Sequence, residues 1–218
     1  MQQIRRNDIL VFDMPYLLGG TLRPSPNQFY MKRCIAIPGD TFSIENGFYQ
    51  INGYSGLSGN YPNQLLLSQT PDIEFEEHVF RYFPNDTTYT WNIKHFGPLY
   101  IPGKGDQIVL NPYNIVLYQS LIQYETEKRI TVKDGQLFLS EDSLISYTFT
   151  RNYYFVAGDF VAGSHDSRYW GLLPKDFVVG KVALIRKSED PETGRFRWKR
   201  FMKKSDSIKH SYSFDKEK

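Results

Sequence analysis

Met31-Lys32-Arg33-Cys34-Ile35-Ala36-Ile37-Pro38-Gly39-Asp40 is an apolar run with two adjacent cations near its start and a Pro-Gly-Asp turn at its end. Strand alternation puts Lys32 on one face with Tyr30, Cys34 and Ala36, and Arg33 on the other with Met31, Ile35 and Ile37. A purely structural strand does not carry charge on both faces. A buried Arg33 needs a carboxylate partner, while the small neighbours of Lys32 leave room for another group beside it. At its ordinary pKa, about 10.4, a lysine is no base at neutral pH; lowering it by about 2–3 units means penalising the ammonium by roughly 3–4 kcal/mol, which an apolar pocket does. Taken alone, the segment favours an edge-strand lysine whose ammonium reaches solvent.

A second segment, Gly158-Asp159-Phe160-Val161-Ala162-Gly163-Ser164-His165-Asp166-Ser167-Arg168-Tyr169-Trp170-Gly171, changes that weighing. It follows the strand-like Tyr153-Tyr154-Phe155-Val156-Ala157 and offers two carboxylates, two serine hydroxyls and a guanidinium within ten residues. Such a loop satisfies Arg33 and sets a hydroxyl near Lys32, although an Asp- and Ser-rich turn is also ordinary loop chemistry.

Around these segments, short strands punctuated by turns dominate. Ile9-Leu10-Val11-Phe12 reads as a strand that stops near Pro15, Leu17 to Gln28 as a Gly- and Pro-rich loop, and Phe29 to Ile37 as the next strand. Asn46-Gly47 between Phe42–Glu45 and Phe48–Ile51, and Asp134-Gly135 between Ile130–Lys133 and Gln136–Leu139, predict two hairpins with tight type I′ turns. Residues 54–95 read as a polar, loop-like insertion, and 97–102 as too proline-rich for a central strand. Gln107–Leu110 and Phe177–Arg186 read as further strands. Apolar spacing makes 114–128 the one helix. The segment Arg195–Lys204 reads as a closing strand with one ring-bearing and one basic face, and the tail from Ser205 as frayed.

Composition agrees with a β fold: 16 Phe, 16 Tyr and 3 Trp suit pleated surfaces. A formal charge of +2 gives no case for a nucleic-acid partner, and the single cysteine, Cys34, excludes an internal disulfide. The four histidines are too dispersed to bind a metal, and a serine–histidine triad around His165 would need adjacent residues of one turn to converge. No run approaches the roughly 18 apolar residues that span a bilayer, so the chain as given is expected to be soluble, with any membrane anchor upstream of Met1.

The two segments resemble two signature boxes of the type I signal peptidases, serine proteases that use a lysine as general base, in the form found in Bacteroidetes-type bacteria. The resemblance runs from about Arg6 to Lys204. It implies a mainly β fold: a signal-peptidase-like β-sheet or barrel catalytic core (1–40 and 150–204) with an inserted β-rich cap lobe (41–149), part of which returns to the core, and a polar tail (205–218). It implies Lys32 as general base and Ser164 as the hydroxyl that orients it. Arg33, Asp159, Asp166 and Arg168 would brace the site, and Tyr30 and Met31 would line pockets for small substrate residues. Neither a cofactor nor a metal is expected. The partners would be signal peptides of exported precursors, and the membrane surface through an upstream part, at the extracytoplasmic face of the inner membrane.

Two departures qualify the resemblance. Phe160 and Val161 stand where the second box usually carries Asn-Arg. The Ser-x-x-Pro-Thr box that would hold the nucleophile does not precede Lys32; residues 1–31 contain one serine, Ser25, between Pro24 and Pro26. The expected activity is therefore signal-peptide removal by a serine–lysine endopeptidase whose nucleophile this chain lacks, the chain alone being inactive. The alternative is a non-cleaving, signal-peptidase-like peptide-binding or scaffold protein.

Overall fold

The structure, a computed structural model, describes residues 3–72, 83–84, 86–186, 193–196, 198 and 202–204. Its strands and helices run in the order β1 (Ile9–Leu18), β2 (Thr21–Ala36), β3 (Thr41–Glu45), β4 (Phe48–Ile51), α1 (Tyr61–Gln69), β5 (Phe96–Tyr100), β6 (Gln107–Val109), α2 (Ile115–Thr126), β7 (Ile130–Lys133), β8 (Gln136–Leu139), β9 (Asp142–Ser143), β10 (Ser146–Thr148), β11 (Tyr153–Ala157), α3 (Ser167–Trp170), β12 (Leu173–Pro174), β13 (Val178–Lys181), β14 (Leu184–Ile185) and β15 (Lys203–Lys204). The fold is mainly β, as composition and turn spacing predict.

The principal sheet has the order β12-β11-β2-β1-β13, with every adjacent pair antiparallel. A second sheet, β4-β3-β5, packs on it through rings: Phe155 of β11 lies 4.3 Å from Phe42 and 5.5 Å from Phe96, centroid to centroid. Aromatic pairs at such separations contribute beyond their buried area. Both expected hairpins form in the expected register. Asn46, Gly47, Asp134 and Gly135 all take positive φ, as type I′ turns require.

Three expectations need correction. Leu17 to Gln28 is not a loop: β1 and β2 continue as a long ribbon closed by Gly19-Gly20, with Tyr16 opposite Arg23 and Leu17 opposite Leu22. Pro15 faces Pro24 where the register shifts, so the missing N–H donors fall where the ladder is already interrupted. Residues 54–95 hold a helix, α1, started by the Asn60 side chain accepting from Asn63 N and by a proline in the first turn. The single strand expected over Phe177–Arg186 is broken into β13 and β14. The proline-rich stretch does form a strand, β5, but at a sheet edge, where a missing donor is tolerated. The expected closing strand is reduced to β15, paired with β14, among its described residues, and the tail from Ser205 lies outside them.

The return to the principal sheet is organised by one carboxylate. Near the end of α2, Glu125 accepts from the Tyr147 hydroxyl (2.9 Å), Thr150 N (2.8 Å) and Oγ1 (2.6 Å), Arg151 N (3.1 Å) and the Tyr153 hydroxyl (2.8 Å). Burial, then the Glu125 charge and hydrogen bond, push the Tyr153 hydroxyl far above its ordinary pKa, so it remains a donor. Removing the acceptor strands buried donors, so Glu125→Ala is expected to cost roughly 2–4 kcal/mol. Urea denaturation reads the loss as a lowered midpoint; an unchanged midpoint would show that the 147–153 segment does not depend on Glu125.

Candidate functional site

β2 delivers Lys32 and Arg33, and β11 runs beside it with Ala157 opposite Arg33. Beyond that pair, β2 has no strand on its β11 side among the described residues, because the chain leaves β11 at Gly158 and turns through 159–166. Arg33 is buried and donates from Nε and Nη2 to the two carboxylate oxygens of Asp159, at 2.7 and 2.6 Å. This bidentate pairing supplies the partner a buried guanidinium requires.

On the same turn, Lys32 Nζ donates to Ser164 Oγ at 2.7 Å. Ser164 is itself buried, and its hydroxyl helps to lower the pKa of the neighbouring Asp166 carboxyl. Asp166 also takes Arg168 Nε and Nη2, both at 2.8 Å, and Gly158 N at 2.9 Å. Asp166 and Arg168 are fully buried. Burial alone would raise the Asp166 carboxyl, but the Arg168 charge and the converging donors outweigh it and hold the group below the usual carboxylate range.

A protonated Lys32 has no lone pair to accept with, so in its bond to Ser164 the ammonium donates and the hydroxyl oxygen accepts. A neutral lysine in that bond keeps its own lone pair for the open side of the site. Burial lowers the Lys32 pKa; the nearby Asp166 opposes the shift and Arg168 assists it.

The sequence-assigned residues Lys32, Arg33, Asp159, Ser164, Asp166 and Arg168 thus meet in one cluster. Tyr30 flanks it, its ring centroid 5.8 Å from Lys32 Nζ, and Met31 is 64% exposed on the same strand. Ser25 is not part of it: seven residues up β2, at about 3.3 Å per residue, place it on the order of 20 Å from Lys32. His165 stacks on Tyr169, with ring centroids 5.1 Å apart, and makes no hydrogen bond among the described residues. The departure at 160–161 is resolved by packing. Val161 is 1% exposed in the core, whereas Phe160 is 64% exposed beside Gly163.

Two contributors were not assigned roles in the sequence. A β-carbon on Gly158 would stand 2.1 Å from Ser164 Oγ and 3.4 Å from Lys32 Nζ, so only glycine admits the hydroxyl. Asn63, on α1, donates to the Asp159 carbonyl at 2.7 Å. The Gly-Asp pair of the second segment signals the first; nothing local signals the second.

The signal peptidase, peptidase S26 family model matches residues 1–186. A signal peptidase I from Buchnera aphidicola subsp. Baizongia pistaciae is 28% identical over 202 residues, covering 83% of this chain and 54% of that protein. Its counterpart from Buchnera aphidicola subsp. Acyrthosiphon pisum is 25% identical over 193 residues, covering 85% and 54%. The chain spans about half the length of the curated relatives it matches. A solved signal peptidase I structure from Enterococcus faecalis is 22% identical, covers 83% of this chain and 97% of that one, and superposes with a TM-score of 0.38.

The lowered Lys32 pKa carries a stability signature. The folded-state value lies below that of an ordinary lysine. Folding is therefore penalised while the lysine stays protonated, and the penalty is relieved as pH rises through the lowered pKa towards 10.5. Lys32→Met removes the buried charge, so its melting temperature is expected to exceed that of the parent near pH 7, with the gap closing at alkaline pH. A pH-independent gap in calorimetry would contradict a perturbed lysine.

Proposed function

The chain belongs to the signal peptidase, peptidase S26 family, and from that premise we propose that it forms the lysine-bearing part of a serine endopeptidase that removes signal peptides from exported precursors. The observation that carries this reading is the half-buried Lys32 held by Ser164, its pKa lowered by burial. In the mechanism, Lys32 takes the proton of a serine as that oxygen attacks the scissile carbonyl. It then passes the proton to the leaving amine and activates the water that hydrolyses the acyl-enzyme. Ser164 orients the lysine; Asp166, Arg168, Arg33 and Asp159 hold Ser164 and β2 in place.

Ser164 is not the nucleophile in this reading: it is 7% exposed and lies against the buried Asp166–Arg168 pair. The attacking serine comes from outside residues 1–218, and this chain alone does not cleave. The unpaired β2 edge beside Tyr30, Met31 and Lys32 receives the precursor as an added strand, with main-chain bonds giving affinity and shallow pockets selecting small side chains.

No helix among the described residues is long and apolar enough to cross a membrane. The β1–β2 ribbon nevertheless exposes Leu17, Leu18, Phe29 and Met31. These side chains support contact with a membrane surface by this chain itself, beyond the upstream contact the family resemblance implies, at the extracytoplasmic face of the inner membrane. Leu17→Ser with Leu18→Ser is expected to reduce flotation with phospholipid vesicles; unchanged flotation would remove the ribbon from any lipid contact.

Cleavage is tested with an Ala-x-Ala precursor peptide, using this chain and a version extended by its native upstream segment. Turnover is expected only in the extended protein, abolished by Lys32→Ala and reduced by Ser164→Ala. Turnover by the 218-residue chain would refute an outside nucleophile. Peptide binding without turnover in the extended protein would favour a non-cleaving binding protein, consistent with Ser164 being the hydroxyl on Lys32.

A further inference from the structure

Residues 57–64 belong to the insertion that the sequence leaves without a role, yet they close a ring of hydrogen bonds around the Lys32 strand. Ser58 Oγ donates to the Ile35 carbonyl of β2 at 2.8 Å. The Ser58 carbonyl accepts from Gln64 Nε2 at 2.8 Å, and Gln64 Oε1 accepts from Tyr49 N at 3.0 Å, which pins α1 to β4. Gln64 is 2% exposed, so its amide is spent on these bonds. The adjacent Asn63 donates to the Asp159 carbonyl at 2.7 Å, and the Asp159 carboxylate returns to Arg33, next to Lys32 on β2. A second tie runs through Asn7: its carbonyl accepts from Arg33 Nη1 at 3.1 Å, while its side chain accepts from Gly59 N at 2.9 Å and donates to the Leu57 carbonyl at 2.9 Å.

The ring matters because of what hangs from it. Asp159 begins the turn that ends at Ser164, and α1 packs against the middle of that turn at Val161–Gly163. The hydroxyl on Lys32 is therefore held from both ends. Asp166 ties the two ends together, accepting from Gly158 N before the turn and from Arg168 after it, while Asp159 at the start of the turn is held through its carboxylate by Arg33 and through its carbonyl by Asn63. Of these supports, Asp166 and Arg33 are buried, whereas the Asn63 bond lies at the surface, on a nine-residue helix capped by one asparagine.

We infer that Asn63 is a positioning residue for Lys32: through Asp159 it keeps the 159–164 turn closed over the lysine, so that α1 controls how basic that amine is. The inference rests on the reading of Lys32 as a general base. It gives the insertion a task, since displacing α1 opens the turn, admits water to the ammonium and returns the lysine towards its ordinary pKa. In the complete protein, that change would lower kcat and shift the acidic limb of its pH profile upward, with little change in KM.

The test uses the 218-residue chain and needs no turnover. Acylation of Lys32 by a water-soluble amine reagent is followed against pH by mass spectrometry, since only the neutral amine reacts. The parent is expected to titrate below its exposed lysines. Asn63→Ala and Asn63→Asp should move the midpoint upward, a shift of one unit being about a tenfold loss of labelling at a fixed pH below it. Asn63→Gln, which keeps the amide, should recover part of the loss. Asn60→Ala, which loosens the cap of α1 without touching Asp159, should shift the midpoint in the same direction by less, and it stands in for Asn63→Ala if that variant does not fold. A lowered parent midpoint that none of these variants moves overturns the positioning role and leaves the base intact. A parent midpoint equal to that of exposed lysines overturns both.

Discussion

The Asp166–Arg168 pair is the constraint on which the site depends. Both side chains are fully buried, and ions removed from water cost several kcal/mol each unless geometry and further hydrogen bonds compensate. Compensation here recruits the surroundings: two guanidinium donors and the Gly158 amide converge on one carboxylate. Satisfying a buried charge therefore determines the path of the chain from 158 to 168. The same path turns the Ser164 lone pairs towards Lys32. Electrostatic necessity in the core becomes hydrogen-bond direction at the surface of the site.

Lys32 lies on the unfavourable side of that arrangement. It has an acceptor in Ser164, but burial acts against its charge and Arg168 adds to the penalty. A chain selected for stability alone would place an apolar residue there, as the buried neighbours Cys34 and Ala36 illustrate. The surrounding core supplies the compensation. Phe155 packs against Phe42 and Phe96, which locks β11 to the second sheet, and Glu125 fixes the segment that leads into β11. A strained site on a rigid strand pair is better defined than the same groups on free loops.

Local chemistry decides how much of this was legible in the sequence. Asn46-Gly47 and Asp134-Gly135 announce their hairpins because two residues suffice to set a type I′ turn. The apolar spacing of 115–124 announces α2 because one face of that helix is buried. Helix α1 is hard to see in the sequence because only Gln64 and Leu67 are buried along it; its signal is the Asn60-Tyr61-Pro62 start, which an otherwise polar stretch obscures. The β1–β2 ribbon is hidden in the sequence because prolines ordinarily interrupt strands, and only pairing reveals that Pro15 and Pro24 face each other. At the site, charge inside apolar runs marks residues that the structure brings together, while the roles proposed for them rest on family resemblance. The tie from Asn63 to Asp159 spans 96 positions, and no local pattern encodes a contact between an insertion and a turn that far apart.

That last contact bears on why an insertion sits where it does. In the proposed mechanism, Lys32 needs a turn that is closed enough to exclude water yet open to an incoming chain on the β2 edge that is unpaired among the described residues. The buried Asp166 pair ties Gly158 to the far end of the turn, and Arg33 holds the carboxylate of Asp159, whose side chain is 45% exposed. The Asp159 carbonyl takes its support from outside the principal sheet, from α1, which is anchored to β4 through Gln64 and to β2 through Ser58. The polar character of α1 follows from the same requirement. A helix that braces a turn by hydrogen bonds at the protein surface keeps its polar side chains for those bonds, and so it lacks the apolar stripe by which helices are usually read.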